Sequence, residues 1–361
     1  MLPKSKLVQL FCTTVILIQS PQLLADRIQQ PAIEHAKVEQ ALLLAQAAQN
    51  ERRIAVGEQG VILTSNNAGD SWQQAPVPSS VLLTTVKFSD DSTAWAAGHD
   101  GVVLKSVDGG TSWRTVLTGA DILALNIESL EHAITAETDD FVREELGYKL
   151  EDAELALEEG PSSPVLDLLF ITPQHGFLIG AYGMMLETQN GGENWQHRGF
   201  SLPNPDGLHL NRIYQQTSGR LVLLGEAGLL LASDDDGANW YELDSPYQGS
   251  FFAAAETDSL YIFGLRGNAF RFDENNQEWQ TIDLPTEATI SDATVANNEL
   301  ILVGQGGVVL KQDGDDFHQV GNRELRSFSS VSLAGDYLIV TGEAGVERIA
   351  LTKNQIAAGE L

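Results

Sequence analysis

The sequence predicts an all-β protein, a seven-bladed β-propeller built from four-stranded antiparallel blades. Three observations support this prediction. A pair of glycines separated by two residues recurs seven times, a turn ending in tryptophan follows most of these pairs, and the intervening segments alternate apolar and polar residues as short strands do. Four-stranded units that repeat at about 40–50 residues are typical of propeller blades.

The glycine pairs set the period of the repeat. The first glycines of successive pairs are 41, 82, 45, 39, 40 and 38 residues apart, so one interval is about twice the others. The seven pairs are Gly57/Gly60, Gly98/Gly101, Gly180/Gly183, Gly225/Gly228, Gly264/Gly267, Gly304/Gly307 and Gly342/Gly345. They predict seven blades, with an insertion between the second and the third.

The second unit shows the order of strands within a blade. Residues 83–88 alternate as an innermost strand, and Ser-Asp-Asp-Ser at 89–92 predicts a turn. Residues 93–97 and 102–106 form two further strands that meet at the glycine pair, and the fourth strand begins at Trp113. We expect the other units to follow the same order.

The stretch SVDGGTSW at 106–113 is a turn that several units repeat. Its Asp or Asn side chain can accept hydrogen bonds from nearby backbone amides, and its glycine adopts backbone angles that other residues resist. A catalytic residue is needed once, whereas a folding device is needed in every repeat. We therefore interpret these Asp-box residues as structural: Ser106, Asp108, Gly110, Trp113, Asn67, Trp72, Asn190, Trp195, Asp235 and Trp240. The fifth unit keeps only Trp279 of this turn, and Phe317 replaces the indole in the sixth.

The last unit must be completed for the ring to close. It reaches a third strand at residues 346–351 and is followed by no tryptophan-bearing fourth strand. We expect residues 28–38 to supply the missing strand, so that both ends of the propeller, residues 26–361, meet in one blade. A disordered leader is the alternative.

The long interval contains an α-helical insertion at residues 120–160. Val142, Leu146, Leu150, Ala153 and Leu157 are spaced as the apolar stripe of one helix, capped near residues 138–140 and ended by Gly-Pro at 160–161. Residues 122–136 predict a shorter helix that pairs with it. The exposed side of the second helix is acidic: Glu144, Glu145, Glu151, Asp152, Glu154, Glu158 and Glu159.

The insertion is predicted to overhang one face of the ring. It joins an outermost strand to the next innermost strand, and this connection lies on the face that bears the glycine-pair turns. We name this surface the tip face. Function usually resides in such decorations of a rigid scaffold, so we expect a partner to bind here; the alternative is that the helices merely shield the ring. The candidate residues are Glu58, His99, Asp100, Tyr182, Glu226, Arg266, Gln305 and Glu343.

The net charge limits the kinds of partner that we expect, and the N-terminal segment indicates the compartment. The formal net charge is −29 with no cluster of Lys or Arg, which disfavours nucleic acid and anionic membranes as partners. Residues 1–25 resemble a Sec-type signal peptide, with Lys4 and Lys6 before a short apolar run, although an uncleaved anchor is the alternative. Cys12, the only cysteine, lies in this segment. We expect an exported, periplasmic monomer that binds a protein.

The run GVVLKSVDGGTSWRTV, with GHDG before it, resembles the Asp-box (BNR-type) repeats of sialidases and of the Ycf48/HCF136 family of photosystem II assembly factors. Seven units behind an export signal are more similar to the second family, over residues 40–350 except the insertion. The resemblance implies a non-enzymatic lumenal or periplasmic factor that holds a membrane-protein assembly intermediate. Related chains occur in non-photosynthetic bacteria, where a membrane transporter is an alternative partner.

A carbohydrate-active propeller is the competing function. A sialidase needs three arginines around a substrate carboxylate, a Tyr–Glu nucleophile pair and an acid–base Asp. No three arginines occupy equivalent innermost-strand positions, and Arg266 alone lies at a tip. The histidines show no metal-binding spacing, and the sequence has no phosphate-binding loop. We expect no catalytic residue, no metal and no cofactor.

Overall fold

The structure, a computed structural model, describes residues 27–351 except residues 161, 322 and 324. Seven antiparallel sheets follow one another along the chain, each made of strands consecutive in the sequence. Within the described residues, six sheets have four strands and the seventh has three. One sheet accompanies each glycine pair, which confirms the predicted seven blades.

The strand bounds follow the predicted order of each unit. The first four blades contain β1 Leu43–Gln49, β2 Arg52–Gly57, β3 Ile62–Ser65, β4 Gln73–Gln74, β5 Leu83–Phe88, β6 Ala94–Gly98, β7 Val103–Ser106, β8 Arg114–Leu117, β9 Val165–Phe170, β10 Gly176–Gly180, β11 Met185–Thr188, β12 Gln196–His197, β13 Leu210–Gln215, β14 Leu221–Gly225, β15 Leu230–Ser233 and β16 Tyr241–Glu242. The last three contain β17 Phe251–Glu256, β18 Leu260–Gly264, β19 Ala269–Asp273, β20 Glu278–Ile282, β21 Ile290–Ala296, β22 Glu299–Gly304, β23 Val308–Asp313, β24 Asp316–Gln319, β25 Phe328–Ala334, β26 Tyr337–Gly342 and β27 Gly345–Ala350.

Apolar side chains between neighbouring blades form the core. The second strand of each blade is buried on both faces, as in β6 and β10, so its side chains pack against the preceding and the following blade. Trp113 lies in the cluster between the first two blades, and Phe317 takes the indole's place between the fifth and sixth. A further cluster joins Leu63 of the first blade to Val346 of the seventh. The ring is therefore closed.

Residues 28–38 do not complete the last blade, and this prediction is wrong. They form no strand: most of them run beside the outer edge of the first blade, and Val38 packs in the cluster that contains Val346 of the seventh. The Ala32 N–H donates to the Val77 carbonyl at 3.0 Å, and the His35 N–H donates to Gln74 Oε1 at 2.9 Å. Ile28 packs against the cluster between the first two blades. The short strand β4 leaves this edge open, and the segment covers it.

Side chains of the first blade join it directly to the seventh. Gln46 Nε2 donates to the carbonyl oxygens of Ser330 and Ile339 at 3.2 and 2.8 Å. The Arg53 guanidinium donates to the Leu333 carbonyl at 2.6 Å. These bonds link β1 to β25 and β26, and β2 to β25, across the seam between the first and the seventh blade.

The predicted insertion is a pair of helices, α1 Gly119–Ala136 and α2 Asp140–Glu159, which we call the helical hairpin. The Asp139 carboxylate caps α2 by accepting the Phe141 and Val142 N–H groups. Neither helix, judged on the part of the chain that is described, is long and apolar enough to span a membrane.

The apolar stripe predicted for α2 is buried only in its middle. Ala153 is buried and Leu146 and Leu150 are partly buried, whereas Val142 and Leu157 are 38% and 37% exposed. The physical reason is that the two helices contact each other over the central turns of α2. The ends of the stripe lie at the surface.

Candidate functional site

The tips of the tip face share one backbone geometry. In every blade, the N–H of the residue after the first glycine donates to the carbonyl oxygen of the residue immediately before the innermost strand, as Glu58 does to Leu42 at 3.0 Å. A Cβ on Gly57 would overlap this carbonyl oxygen, so the first glycine is required by close approach. The glycine pairs therefore anchor the tips to the channel wall.

The predicted tip residues fall into two groups, and the first group supports the backbone. The carboxylates of Glu58, Glu226 and Glu343 each accept the N–H of a residue at or near the start of the innermost strand of their own blade: Leu42 at 2.8 Å, His209 at 3.3 Å and Ser327 at 3.2 Å. His99 and Gln305 occupy the same position in their blades. Glu58, Glu226 and Glu343 therefore hold the tips in place.

The second group occupies the middle of the tip; Tyr182 and Arg266 expose their side chains, whereas Asp100 is mostly covered and pairs with Arg27 at 3.5 Å. Asp100, Tyr182 and Arg266 have φ angles of 55°, 57° and 57°, in the left-handed region. Tyr182 is 73% exposed and meets the His209 ring edge-on at 5.0 Å. Gln59 and Ala227 hold the same position in their blades and were missed by the sequence reasoning, which had no means to distinguish the two positions.

The helical hairpin lies over the tips of the second and third blades, toward the outer strands. Helix α1 contacts the tip His99–Gly101 and strands β8 and β12. A cavity of about 230 Å³ separates the hairpin from the third tip. Its lining comes from α1, the end of α2 and the third blade, and includes Ile122, Asn126, Glu159, Tyr182, Met184 and His197.

His197 lies in this cavity wall and is almost completely buried. Burial lowers the pKa of its imidazole to about 4, so the ring is neutral at pH 7. Its Nδ1 has no hydrogen-bond partner among the residues that the structure describes. The neighbouring Arg198 pairs instead with Glu187, Nε to Oε2 at 3.1 Å.

A charge network crosses the central channel. Arg212 of the fourth blade lies 3.6 Å from Asp167 of the third (Nε to Oδ2) and 2.8 Å from Asp292 of the sixth. Lys87 of the second blade lies 4.0 Å from Asp167. Burial and the nearby Arg212 lower the pKa of Lys87. Arg212 is the only arginine of the seven innermost strands, all of which are described, so the triple-arginine arrangement of a sialidase is not formed there.

Hydrogen bonds within each Asp-box turn occupy its polar side chains. The Gly110 N–H donates to Ser106 Oγ at 2.9 Å, and the Ser112 N–H and hydroxyl donate to the Asp108 carboxylate at 2.9 and 2.6 Å. The hydrogen bond from Ser112 lowers the pKa of Asp108. Asn67, Asn190 and Asp235 accept the equivalent backbone N–H groups, those of Ser71, Asn194 and Asn239.

The Asp-box turns lie on the face opposite the tips. The Gly109 N–H donates to the Ser92 carbonyl at 2.7 Å, in the turn between the first two strands of the blade. Trp113 is buried behind the turn, and Trp72, Trp195 and Trp240 also pack in clusters between blades. In the described ranges, no group of three or more His, Cys, Asp or Glu residues is arranged to hold a metal ion.

The comparison with protein families matches the second half of the hairpin and the blades that follow it. A model described as photosynthesis system II assembly factor YCF48 matches residues 145–248, which cover the end of the hairpin and the third and fourth blades.

Curated relatives match similar parts of the chain. Photosystem II assembly lipoprotein Ycf48 of Synechococcus sp. (strain CC9902) is 30% identical over 149 residues, 40% of this chain and 42% of that protein. Photosystem II stability/assembly factor HCF136, chloroplastic, of Arabidopsis thaliana is 27% identical over 146 residues, 38% of this chain and 36% of that protein. The chain thus aligns with about two fifths of each relative's length.

Solved structures extend the similarity of fold to nearly the whole ring. YCF48 bound to D1 peptide superposes with a TM-score of 0.62 at 16% identity, over 90% of this chain and 96% of that one. YCF48 from Cyanidioschyzon merolae gives a TM-score of 0.59 at 14% identity, over 86% and 95%. With the repeats and the seven blades, these matches show that the chain is an Asp-box (BNR) repeat β-propeller similar to the Ycf48 proteins.

Proposed function

We propose that this chain is a non-enzymatic scaffold that binds a membrane or exported protein through its tip face and helical hairpin. The observation that carries the proposal is the division between the two faces. The Asp-box carboxylates of one face are occupied in turns, whereas the other face presents outward side chains beside the hairpin and its cavity.

The similar proteins agree with this role. The matched family and the curated relatives are described as assembly or stability factors of photosystem II, and one structural neighbour was solved with a D1 peptide. We infer that this chain also acts as an assembly factor, with a protein segment as its ligand. We place it, as a monomer, in an exported compartment, because residues 1–25 read as a signal peptide.

Site-specific photo-crosslinking tests the proposal. A benzoylphenylalanine replaces Tyr182 on the tip face, and in a matched variant it replaces Val107, which is 65% exposed on the Asp-box face. After irradiation with membranes of the source organism, we expect a covalent adduct with one membrane or exported protein from position 182 and none from position 107. Equal adducts from both positions, or none from either, would contradict the proposal.

Deletion of the hairpin tests its share in binding. Replacing residues 119–160 with a short Gly-Ser linker should lower the adduct yield from Arg266→benzoylphenylalanine, since this probe lies outside the deleted region. Circular dichroism should show that the strands remain. An unchanged yield would restrict the partner site to the tips themselves.

A further inference from the structure

The cavity between the hairpin and the third tip has the dimensions of a side-chain pocket. Its volume is about 230 Å³, smaller than the roughly 300–1,000 Å³ typical of small-molecule sites. Its walls are apolar where Ile122, Leu123, Ala156 and Met184 meet. Apolar walls of this kind can pack against the methylene groups of a long side chain, while its polar end group forms hydrogen bonds elsewhere.

Hydrogen-bond acceptors lie among these walls. The His197 ring lines the cavity, and because its burial keeps the imidazole neutral, one of its two ring nitrogens carries a lone pair. Asn126 adds an amide oxygen.

The electrostatic potential of the cavity is negative. Glu159 lines it, Glu158 precedes Glu159 in the last turn of α2, and that turn contains no basic residue. The carboxyl end of a helix dipole is itself negative and normally favours cations. None of the residues that line the cavity is Lys or Arg.

The opposite helix end does not offset this charge. The amino end of α1 also borders the cavity, but the Asp121 carboxylate accepts hydrogen bonds from the Thr118 N–H and hydroxyl at 2.8 and 2.7 Å. This capping box places a negative charge at that end. An anionic ligand would therefore meet Glu159 in the cavity wall and the charge of Asp121 at the amino end of α1.

At the edge of the cavity, Tyr182 exposes its ring. A guanidinium group stacks on such a ring and also donates up to five hydrogen bonds. We propose that the cavity binds an arginine side chain of the partner protein, with the stem along Ile122 and Met184 and the guanidinium between Glu159, His197 and Tyr182. The inference rests on the proposed function for the origin of the arginine.

Methyl NMR tests the pocket without the partner. Of the three methionines, Met184 lines the cavity and Met185 is buried in the adjacent cluster between blades. In protein labelled with ¹³C at the methionine methyls, titration with N-acetyl-arginine amide should shift the Met184 signal and leave Met185 in place. The titration extends to about 50 mM, as dissociation constants in the millimolar range require.

Control ligands and variants test whether binding depends on the positive charge of the guanidinium and on Glu159 and His197. N-acetyl-citrulline amide, which lacks the charge, and N-acetyl-glutamate amide should shift Met184 much less. Glu159→Gln should weaken binding of the arginine derivative by about two- to fivefold, and Glu151→Gln, an exposed position on the same helix, should leave it unchanged. His197→Phe should weaken it as well, with the Met185 signal reporting that the blade is folded.

Three outcomes would overturn the inference: no shift of Met184, an equal shift with citrulline, or equal effects of Glu159→Gln and Glu151→Gln. Preference for the glutamate derivative would also overturn it and indicate an anion site. Any of these results leaves the crosslink from position 182 standing, so failure of the pocket and failure of the proposed function can be distinguished.

Discussion

Asp108 and Tyr182 show what a single residue contributes in this protein. Asp108 is held by Ser112 within a turn, and its identity could be interpreted from sequence because the same turn recurs in other units. His197 could not be interpreted in this way. It is an ordinary residue of β12, and the cavity that it lines is formed where the hairpin folds against that blade. A structural residue that recurs in several repeats can be identified from the sequence, whereas a residue of a cavity that forms only once in the fold has no repeated motif to mark it.

Substitution of Asp108 tests how much its side-chain oxygen contributes to the stability of the turn. Asn67 holds the same turn in the first blade, where its Nδ2 donates to Ser71 Oγ at 2.9 Å. Asp108→Asn should therefore change the free energy of unfolding at pH 7 by less than about 0.5 kcal/mol, whereas Asp108→Ala should cost about 1–2 kcal/mol. Urea denaturation measures both. Equal costs would show that the side-chain oxygen is not what stabilises the turn.

The turn also has a pH signature. Because the folded pKa of Asp108 is lowered by the Ser112 hydrogen bond, its stabilisation is complete above the ordinary Asp pKa of about 3.9. It is lost as the pH falls through the lower, folded value. The stability difference between the native chain and Asp108→Asn should therefore shift against the native chain below about pH 4. A pH-independent difference would contradict this linkage.

At the scale of elements, the blades and the hairpin differ in how they are held. Each blade packs between two neighbours, whereas the hairpin is held by the contact between its own helices and by α1 on the second and third blades. The sequence predicted both elements, since glycine spacing and helical periodicity are local signals. It assigned residues 28–38 to the wrong blade, because nothing local indicates which exposed sheet edge a segment will cover.

Leu130 tests whether the hairpin unfolds independently. Its side chain in α1 is 2% exposed, and Leu130→Ala should destabilise the hairpin by about 2–4 kcal/mol. Hydrogen exchange should speed up over residues 119–159 and remain slow in β6 and β10. Leu155→Ala is the control, since Leu155 is 53% exposed. Faster exchange throughout the ring would show instead that hairpin and blades unfold together.

The whole molecule is a closed ring whose channel contains Asp167, Arg212 and Asp292. These residues come from three blades and are 45 and 80 positions apart, so no periodicity could have predicted that they meet. Asp167 also accepts the Ile213 N–H at 3.2 Å, and Asp292 accepts the Val331 N–H at 3.0 Å. The network therefore joins innermost strands of neighbouring and of distant blades.

Removal of Arg212 tests this network. Arg212→Ala leaves two buried carboxylates without their partner and should lower the free energy of unfolding by about 3–5 kcal/mol. The quadruple variant Lys87→Met, Asp167→Asn, Arg212→Met, Asp292→Asn removes all four charges of the network and should recover most of the loss. Thermal denaturation measures both variants. A mild effect of Arg212→Ala would mean that the channel is hydrated well enough to tolerate the carboxylates.

The left-handed backbone at the tips has a consequence for how the surface diversifies. In an ordinary residue this conformation costs roughly 1 kcal/mol, which glycine would avoid, as it does at Gly306. Gln59, Asp100, Tyr182, Ala227 and Arg266 nevertheless adopt it with φ angles between 51° and 57°. Because the backbone at these five positions is the same, exchanging residues among them should change the side chains that the tip face presents while the blades keep their shape; under the proposed function, such exchanges would adapt the surface to a different partner.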